Sequence, residues 1–279
     1  MQLKRNDQRH LWLLSGTGEG PSIANALIQQ GWEVSVSVVT KEAACAYEDI
    51  PLAAIWIGEL AGVSRISQLL VEKRIHGQGF EWVIDATHPF ATAISAAVQI
   101  ACKATAQPLL RFERPLEGAA EQTLLGSINH LSSLDLRGHR LLMAIGSRHL
   151  SHAVAEAQKA GARVFARVLP CHHGLQKALT SGLSGEDLAV MRPIKGDIVG
   201  HLEAALCRRW RISTVLSRQS GGSTELLWQS VCQRQGLQHL KIARPLSFGR
   251  DDLVTSLDEL LHRVRKEEIL NPPSDFYES

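Results

Sequence analysis

Leu11-Trp12-Leu13-Leu14-Ser15-Gly16-Thr17-Gly18-Glu19-Gly20 carries an apolar run into a glycine-rich turn, and residues 22–30 follow with helical spacing up to Gly31. A buried strand that breaks on glycines into a helix is the first half of a βαβ unit. Glycines at that turn let the chain reverse tightly and let a phosphate approach the N–H groups at the helix start. The dinucleotide pattern G-x-G-x-x-G is met by Gly16 and Gly18, whereas Pro21 stands in the place of the third glycine. Gly16, Thr17, Gly18 and Glu19 are thus candidate phosphate contacts, with a plain glycine turn as the alternative.

Working outward, short apolar runs alternate with amphipathic stretches, the pattern of an α/β fold with parallel sheets. The spacing predicts strands at 11–15, 33–39, 52–57, 81–86 and 108–112, with helices at 22–30, 63–74 and 89–105. Pro89 is expected as the first residue of its helix, where a missing N–H costs nothing. A second series has strands at 140–145, 163–168, 187–191, 213–216 and 239–243, with helices at 148–160, 194–209 and 225–235. A final helix is expected at 251–266, able to pack on either half. Residues 114–129 fit neither state well, so the boundary belongs there. The division is 1–125 for a nucleotide-binding domain, 126–266 for a second domain and 267–279 for a tail. The fold expected is two Rossmann-like α/β domains with parallel sheets and an interdomain cleft.

Beyond the second strand, Val38-Val39 is followed by Thr40 and Lys41. An NAD site places an Asp or Glu in this region to accept from the ribose 2′-hydroxyl. A hydroxyl and an ammonium suit a 2′-phosphate instead, so NADPH is the cofactor expected; the alternative for Lys41 is a solvated loop residue. The bulk composition excludes other classes. Thirty Lys and Arg against 28 Asp and Glu give a net charge of +2, with no basic block suited to nucleic acid. No apolar run approaches the ~18 residues of a membrane span. Five cysteines, Cys45, Cys102, Cys171, Cys207 and Cys232, lie far apart without a CxxC pair, which fits reduced thiols in the cytoplasm. Cys171-His172-His173 puts three ligand types in a row that do not readily converge on one ion, so a polar loop is expected and no metal.

The most distinctive segment is Val83-Ile84-Asp85-Ala86-Thr87-His88-Pro89-Phe90-Ala91. It ends a central strand, where open α/β sheets bind ligands, and it gathers Asp85, Thr87 and His88 at one corner. A binding corner and a helix-capping arrangement are both open from these residues alone. The run Asp-Ala-Thr-His-Pro-Phe-Ala resembles the hallmark of the precorrin-6A reductases of cobalamin (vitamin B12) synthesis, a family that includes enzymes acting on the cobalt-loaded substrate. The similarity extends to Gly16-Thr17-Gly18-Glu19-Gly20, Leu110-Arg111-Phe112-Glu113-Arg114-Pro115, Ile145-Gly146-Ser147-Arg148-His149-Leu150 and Arg167-Val168-Leu169-Pro170. Two segments depart from the family. Its late Thr-Lys-x-Ser-Gly is Ser217-Arg218-Gln219-Ser220-Gly221 here, and its Gly-Pro-Phe-Ser stretch is Arg192-Pro193-Ile194-Lys195-Gly196. Arg for Lys exchanges a point charge for a planar fork.

The resemblance implies hydride transfer from NADPH to a double bond of a tetrapyrrole macrocycle, together with one proton. It assigns Ala86 and Thr87 to the cofactor beside Gly16, Thr17, Gly18, Glu19, Thr40 and Lys41. His88 becomes a candidate proton donor, with ordering of the nicotinamide or packing at the cleft as alternatives and solvent as the other proton source. Asp85 is a candidate to position His88 or a ribose, or to cap the helix. The acetate and propionate arms of such a substrate call for cations. Arg111, Arg148 and Arg218 are the candidates, with Ser220 and Gly221 beside the last and Arg192 and Lys195 in reserve. The rival functions are a two-domain nucleotide-sugar glycosyltransferase, which would bind its nucleotide mainly in the second half, and a non-catalytic NADPH sensor.

Overall fold

The structure, a computed structural model, describes residues 9–116, 123–192, 199–245, 249 and 252–265. They divide into two compact units, one holding the described residues through Glu113 and those after 246, the other running from Arg114.

The first unit is one sheet built from β1 (His10–Ser15), β2 (Glu33–Val38), β3 (Ala54–Ile57), β4 (Trp82–Ala86), β5 (Leu109–Phe112) and β12 (Leu253–Val254). The order is β12-β5-β4-β1-β2-β3, and every pairing is parallel. A parallel strand needs a cover on both faces, and β1 shows how its residues supply it. Leu11 and Leu13 point into a core shared with Ile23, Ala24 and Leu27 of α1 (Gly20–Gln29) and Leu260 and Val264 of α9 (Leu257–Val264). Trp12 and Leu14 point the other way, onto Ile66 and Leu70 of α3 (Gly62–Ile75) and Val98, Ala101 and Cys102 of α4 (Thr92–Ala104). The period of two thus makes one apolar run serve two cores.

The second unit repeats the plan. Its strands are β6 (Thr123–Leu125), β7 (Arg140–Met143), β8 (Arg163–Val168), β9 (Leu188–Val190), β10 (Thr214–Arg218) and β11 (Gln238–Ile242). The order β6-β11-β10-β7-β8-β9 puts β7 where β1 stands in the first sheet, and β10 where β4 stands. Leu142, Phe165 and Val215 pack with Ala204 and Cys207 of α7 (His201–Arg209) and with Trp228 and Val231 of α8 (Ser223–Gln235). The helices α5 (Leu150–Lys159) and α6 (His172–Leu179) pack on β7 and β8.

Several elements depart from the sequence expectation. Pro89 does not open a helix: it lies in a turn closed by the Ala91 N–H on the His88 carbonyl at 2.7 Å, and α4 begins at Thr92. Its fixed φ suits the second position of such a turn as well as a helix start. Cys171-His172-His173 is not a polar loop but the entry to α6. The 251–266 helix is shorter, because Leu253–Val254 pairs with Arg111 and Phe112 first. Ser256 then caps α9 by accepting from the Glu259 N–H at 3.1 Å. Residues 253–265, placed with the second domain by the sequence division, belong to the first unit, whose core takes in Val254, Leu260 and Val264. A short helix α2 (Lys41–Ala44) follows β2. No helix among the described residues is long and apolar enough to cross a membrane.

Candidate active site

In the first sheet, β1 continues to β2 and β3 on one side, whereas β4 and β5 lie on the other. The strand order therefore reverses between β1 and β4, and their carboxyl ends flank the crevice in which doubly wound sheets hold ligands. The glycine turn leaves β1 there, and the segment 85–91 leaves β4 there.

The two segments touch. A Cβ built on Gly16 would lie 3.2 Å from the His88 amide nitrogen and 3.3 Å from the Thr87 Cα, so a side chain at 16 would push the corner away. Thr17 Oγ1 donates to the Ala86 carbonyl at 3.4 Å. Gly18 is different: nothing lies within 4 Å of an added Cβ, which leaves that face of the turn open. No side chain caps the start of α1, where Glu19 is the capping residue. The third glycine of the pattern is Gly20 rather than residue 21. A Cβ on Gly20 would lie 2.0 Å from Ser15 Oγ and 2.1 Å from the Tyr47 hydroxyl, so this position lets α1 press on the end of β1. An uncapped helix start behind an unobstructed glycine is the arrangement that takes a pyrophosphate.

Asp85 and Arg111 lie inside the corner rather than on it. Both are fully buried, and Arg111 Nη1 is 2.7 Å from Asp85 Oδ1. The same Oδ1 accepts from Thr87 N at 3.0 Å and Thr87 Oγ1 at 2.7 Å. Arg111 also reaches Ser95 Oγ at 3.3 Å and Glu113 Oε1 at 3.1 Å. Arg111, a candidate substrate cation, is buried with its charge against Asp85, and the Asp85 carboxylate holds the Thr87 backbone and hydroxyl. His88 is half-buried at the corner, and its Nδ1 accepts from Phe90 N–H at 3.2 Å. With Nδ1 an acceptor, the neutral ring carries its proton on Nε2.

Thr40 and Lys41 are exposed just beyond β2, the strand beside β1. Thr40 Oγ1 accepts from Ala43 N–H at 3.2 Å and caps α2, a role the sequence did not assign it.

In the second unit, the β7 turn Gly146-Ser147-Arg148-His149 and the β10 corner Arg218-Gln219-Ser220-Gly221 occupy the topologically matching crevice. They are electrostatically coupled. Burial, then the nearby Arg148 charge, pushes the Arg218 guanidinium down to about 10. His149 is shifted below its usual range by burial, then by Arg218 and Arg148. Cations crowded together at strand ends disfavour one another's charge, a strain that an anion would relieve. The corner is held from behind. Gly221 N–H donates to Glu225 Oε2 at 2.6 Å, and the other oxygen of Glu225 is paired with buried Lys241. Gly221 has φ +70°, and an added Cβ would meet Arg244 Nη2 at 2.4 Å and the Pro115 carbonyl at 2.8 Å. Residues 193–198, which include Lys195, lie outside the described residues, and Arg192 is exposed.

The family model described as Precorrin-6x reductase CbiJ/CobK matches residues 10–265. The chain belongs to this family. Among precorrin-6x reductases, it is similar to the cobalt-precorrin-6A reductase of Synechocystis, with 31% identity covering 84% of this chain and 88% of that one. It is 27% identical to the precorrin-6A reductase of Rhodobacter capsulatus, covering 88% and 92%. The solved structure of CobK precorrin-6A reductase superposes with a TM-score of 0.72 at 26% identity, covering 92% of this chain and 96% of that chain. Membership makes the protein an oxidoreductase. The structure also shows what the sequence passed over: Tyr47, Lys241, Glu225 and Arg244 brace the two crevices from behind. A lysine and a histidine alternating inside an apolar strand, His239 and Lys241, were the available signal for one of them.

Proposed function

We propose that the chain reduces a precorrin-6A-type tetrapyrrole with NADPH, in cobalamin biosynthesis. The observation that carries this is the contact of the glycine turn with the Thr87–His88 corner at the β1/β4 crevice, in a chain of the precorrin-6x reductase family. When bound, the nicotinamide supplies a hydride to one carbon of a double bond.

The protein's part is binding and alignment. N–H groups at the start of α1 hold the pyrophosphate, and Gly18 lets it approach. Lys41, with Thr40 beside it, holds the 2′-phosphate, for which an ammonium with no carboxylate partner among the described residues is suited. Asp85, through Thr87, keeps the corner in shape. His88 offers its Nε2–H as a hydrogen-bond donor that orders the crevice, and solvent water supplies the proton to the second carbon, so that one hydride and one proton saturate the double bond. Arg148 and Arg218, with Ser220 and Gly221 shaping the loop, hold carboxylate arms of the macrocycle. Five unpaired thiols support a reducing compartment such as the cytoplasm.

The test is anaerobic incubation with NADPH and precorrin-6A, with and without cobalt in the ring, followed by absorbance and mass. Gain of two hydrogens with loss of NADPH absorbance is expected; binding without turnover would favour a sensor. Titration with NADPH and NADH checks the cofactor, and equal affinity would overturn the role of Thr40 and Lys41.

A further inference from the structure

Tyr47 ends a single 3-10 turn, Cys45–Tyr47, which follows directly on α2. Its ring packs in the core with Val34, Val36, Val38, Ile23 and Ala24. Its hydroxyl crosses to the other side of that core and donates to Ser15 Oγ at 2.6 Å, with Tyr47 5% and Ser15 6% exposed. Ser15 is the last residue of β1, immediately before the glycine turn. Gly20 roofs the bond, since any side chain there would overlap both oxygens. Three segments therefore meet at one buried hydrogen bond: the root of the glycine turn, the start of α1, and the turn that follows Lys41.

The segment 40–47 needs such an anchor. A four-residue helix does not hold itself together in water, because the nucleus costs more than its few hydrogen bonds return. Thr40, Lys41, Glu42 and Ala43 are all exposed, so no burial of their side chains fixes them. The Thr40 cap orders the segment's beginning. At its other end, Tyr47 is the buried residue, and its phenol is tied to the strand that carries the phosphate turn.

We infer that Tyr47 is a positioning residue for cofactor choice: its bond to Ser15 fixes where Lys41 stands relative to the glycine turn, and so sets the discrimination between 2′-phosphorylated and unphosphorylated dinucleotides. The inference rests on the assignment of Lys41 to the 2′-phosphate. A charge contributes to selectivity only when it is held where the phosphate arrives, and the ordering entropy is then met in folding rather than in binding.

The experiment compares Tyr47→Phe with the parent chain, using NADPH, NADH, 2′,5′-ADP and 5′-AMP as probes in direct titration. Phenylalanine keeps the ring and the core and removes one hydroxyl, and a thermal melt verifies the fold. Affinity for NADPH and 2′,5′-ADP is expected to fall about five-fold, the scale of one hydrogen bond, with less than about two-fold change for NADH and 5′-AMP. Ser15→Ala breaks the same bond from the other side and is expected to reproduce the shift, and the double variant should be no worse than either single one. Equal losses for all four probes would overturn the inference and leave Tyr47 as packing beneath the glycine turn, as would no change at all. If the parent chain itself does not prefer the 2′-phosphorylated probes, the assignment of Lys41 fails first, and that result is read without any variant.

Discussion

Arg111 faces Asp85 directly across β5 and β4, and the two side chains meet at 2.7 Å with exposures of 1% and 0%. Removing one member of such a pair leaves the other charge buried without compensation. Arg111→Met is therefore expected to destabilise the protein by about 3–5 kcal/mol. Adding Asp85→Asn should recover a large part of that loss, because neither position of the fully buried pair then carries a charge. Urea unfolding of the two singles and the double measures both quantities. A cost under about 1 kcal/mol for Arg111→Met would show that the pair does not hold the corner.

Gly18 and Gly20 separate folding from binding within one turn. A methyl on Gly18 meets nothing within 4 Å, whereas one on Gly20 would overlap Ser15 and Tyr47. Gly20→Ala should cost about 1–3 kcal/mol as overpacking. Gly18→Ala should leave stability within about 0.5 kcal/mol of the parent. Its affinity for NADPH should nevertheless fall by at least about ten-fold, because the methyl occupies space that the pyrophosphate needs. Unchanged NADPH binding in Gly18→Ala would remove the phosphate from this turn.

Where one structural cause acts along the chain, the sequence is transparent. Leu11–Leu14 had to be a buried parallel strand, and β1 and its neighbours follow from the same alternation. Elements depending on contacts between distant segments were not legible. Leu253–Val254 is two residues long and becomes a strand only because β5 offers an edge. Ser256-x-x-Glu259 has the spacing of a capping box, a signal for the later start of α9 that the expected 251–266 helix overlooked. In the site, the glycine turn and the corner were visible as motifs. The positions of Arg111 and Asp85 were not, because a cation in a family-like segment looks the same from sequence whether it faces a ligand or a buried carboxylate.

His239 gives the second unit a pH dependence of known sign. Its ring is 5% exposed, with Nε2 on Ser217 Oγ at 2.8 Å and Nδ1 buried without a partner. Burial, then the charge of Lys241, pushes it down to about 4, with Glu225 opposing. The unfolded chain binds its proton near 6.5, where the folded protein does not. The resulting stability is complete above that pH and is lost as pH falls from about 6.5 to about 4. The loss is on the order of 3 kcal/mol. Carboxylates titrate in part of the same window, so the measurement is a difference: urea unfolding of the parent and of His239→Gln at intervals from pH 7 to 4. The parent should lose more, and parallel curves would refute the buried neutral histidine.

Arg218 is held where burial and a neighbouring cation disfavour its charge. Burial and the Arg148 charge both disfavour its cationic form, enough to bring it down to about 10. Removing a charge disfavoured by those two effects relieves both of them. Arg218→Met is expected to melt at or slightly above the parent temperature, the usual exchange between a strained site and stability. The same variant should raise KM for the tetrapyrrole about ten-fold or more through loss of a charge-assisted contact. NADPH affinity should stay within about two-fold if the phosphate is held at the β1 turn. Steady-state kinetics with each reactant varied in turn, beside a direct NADPH titration, separates these effects. A rise confined to the NADPH constant would place the cofactor at the β10 corner and the macrocycle elsewhere.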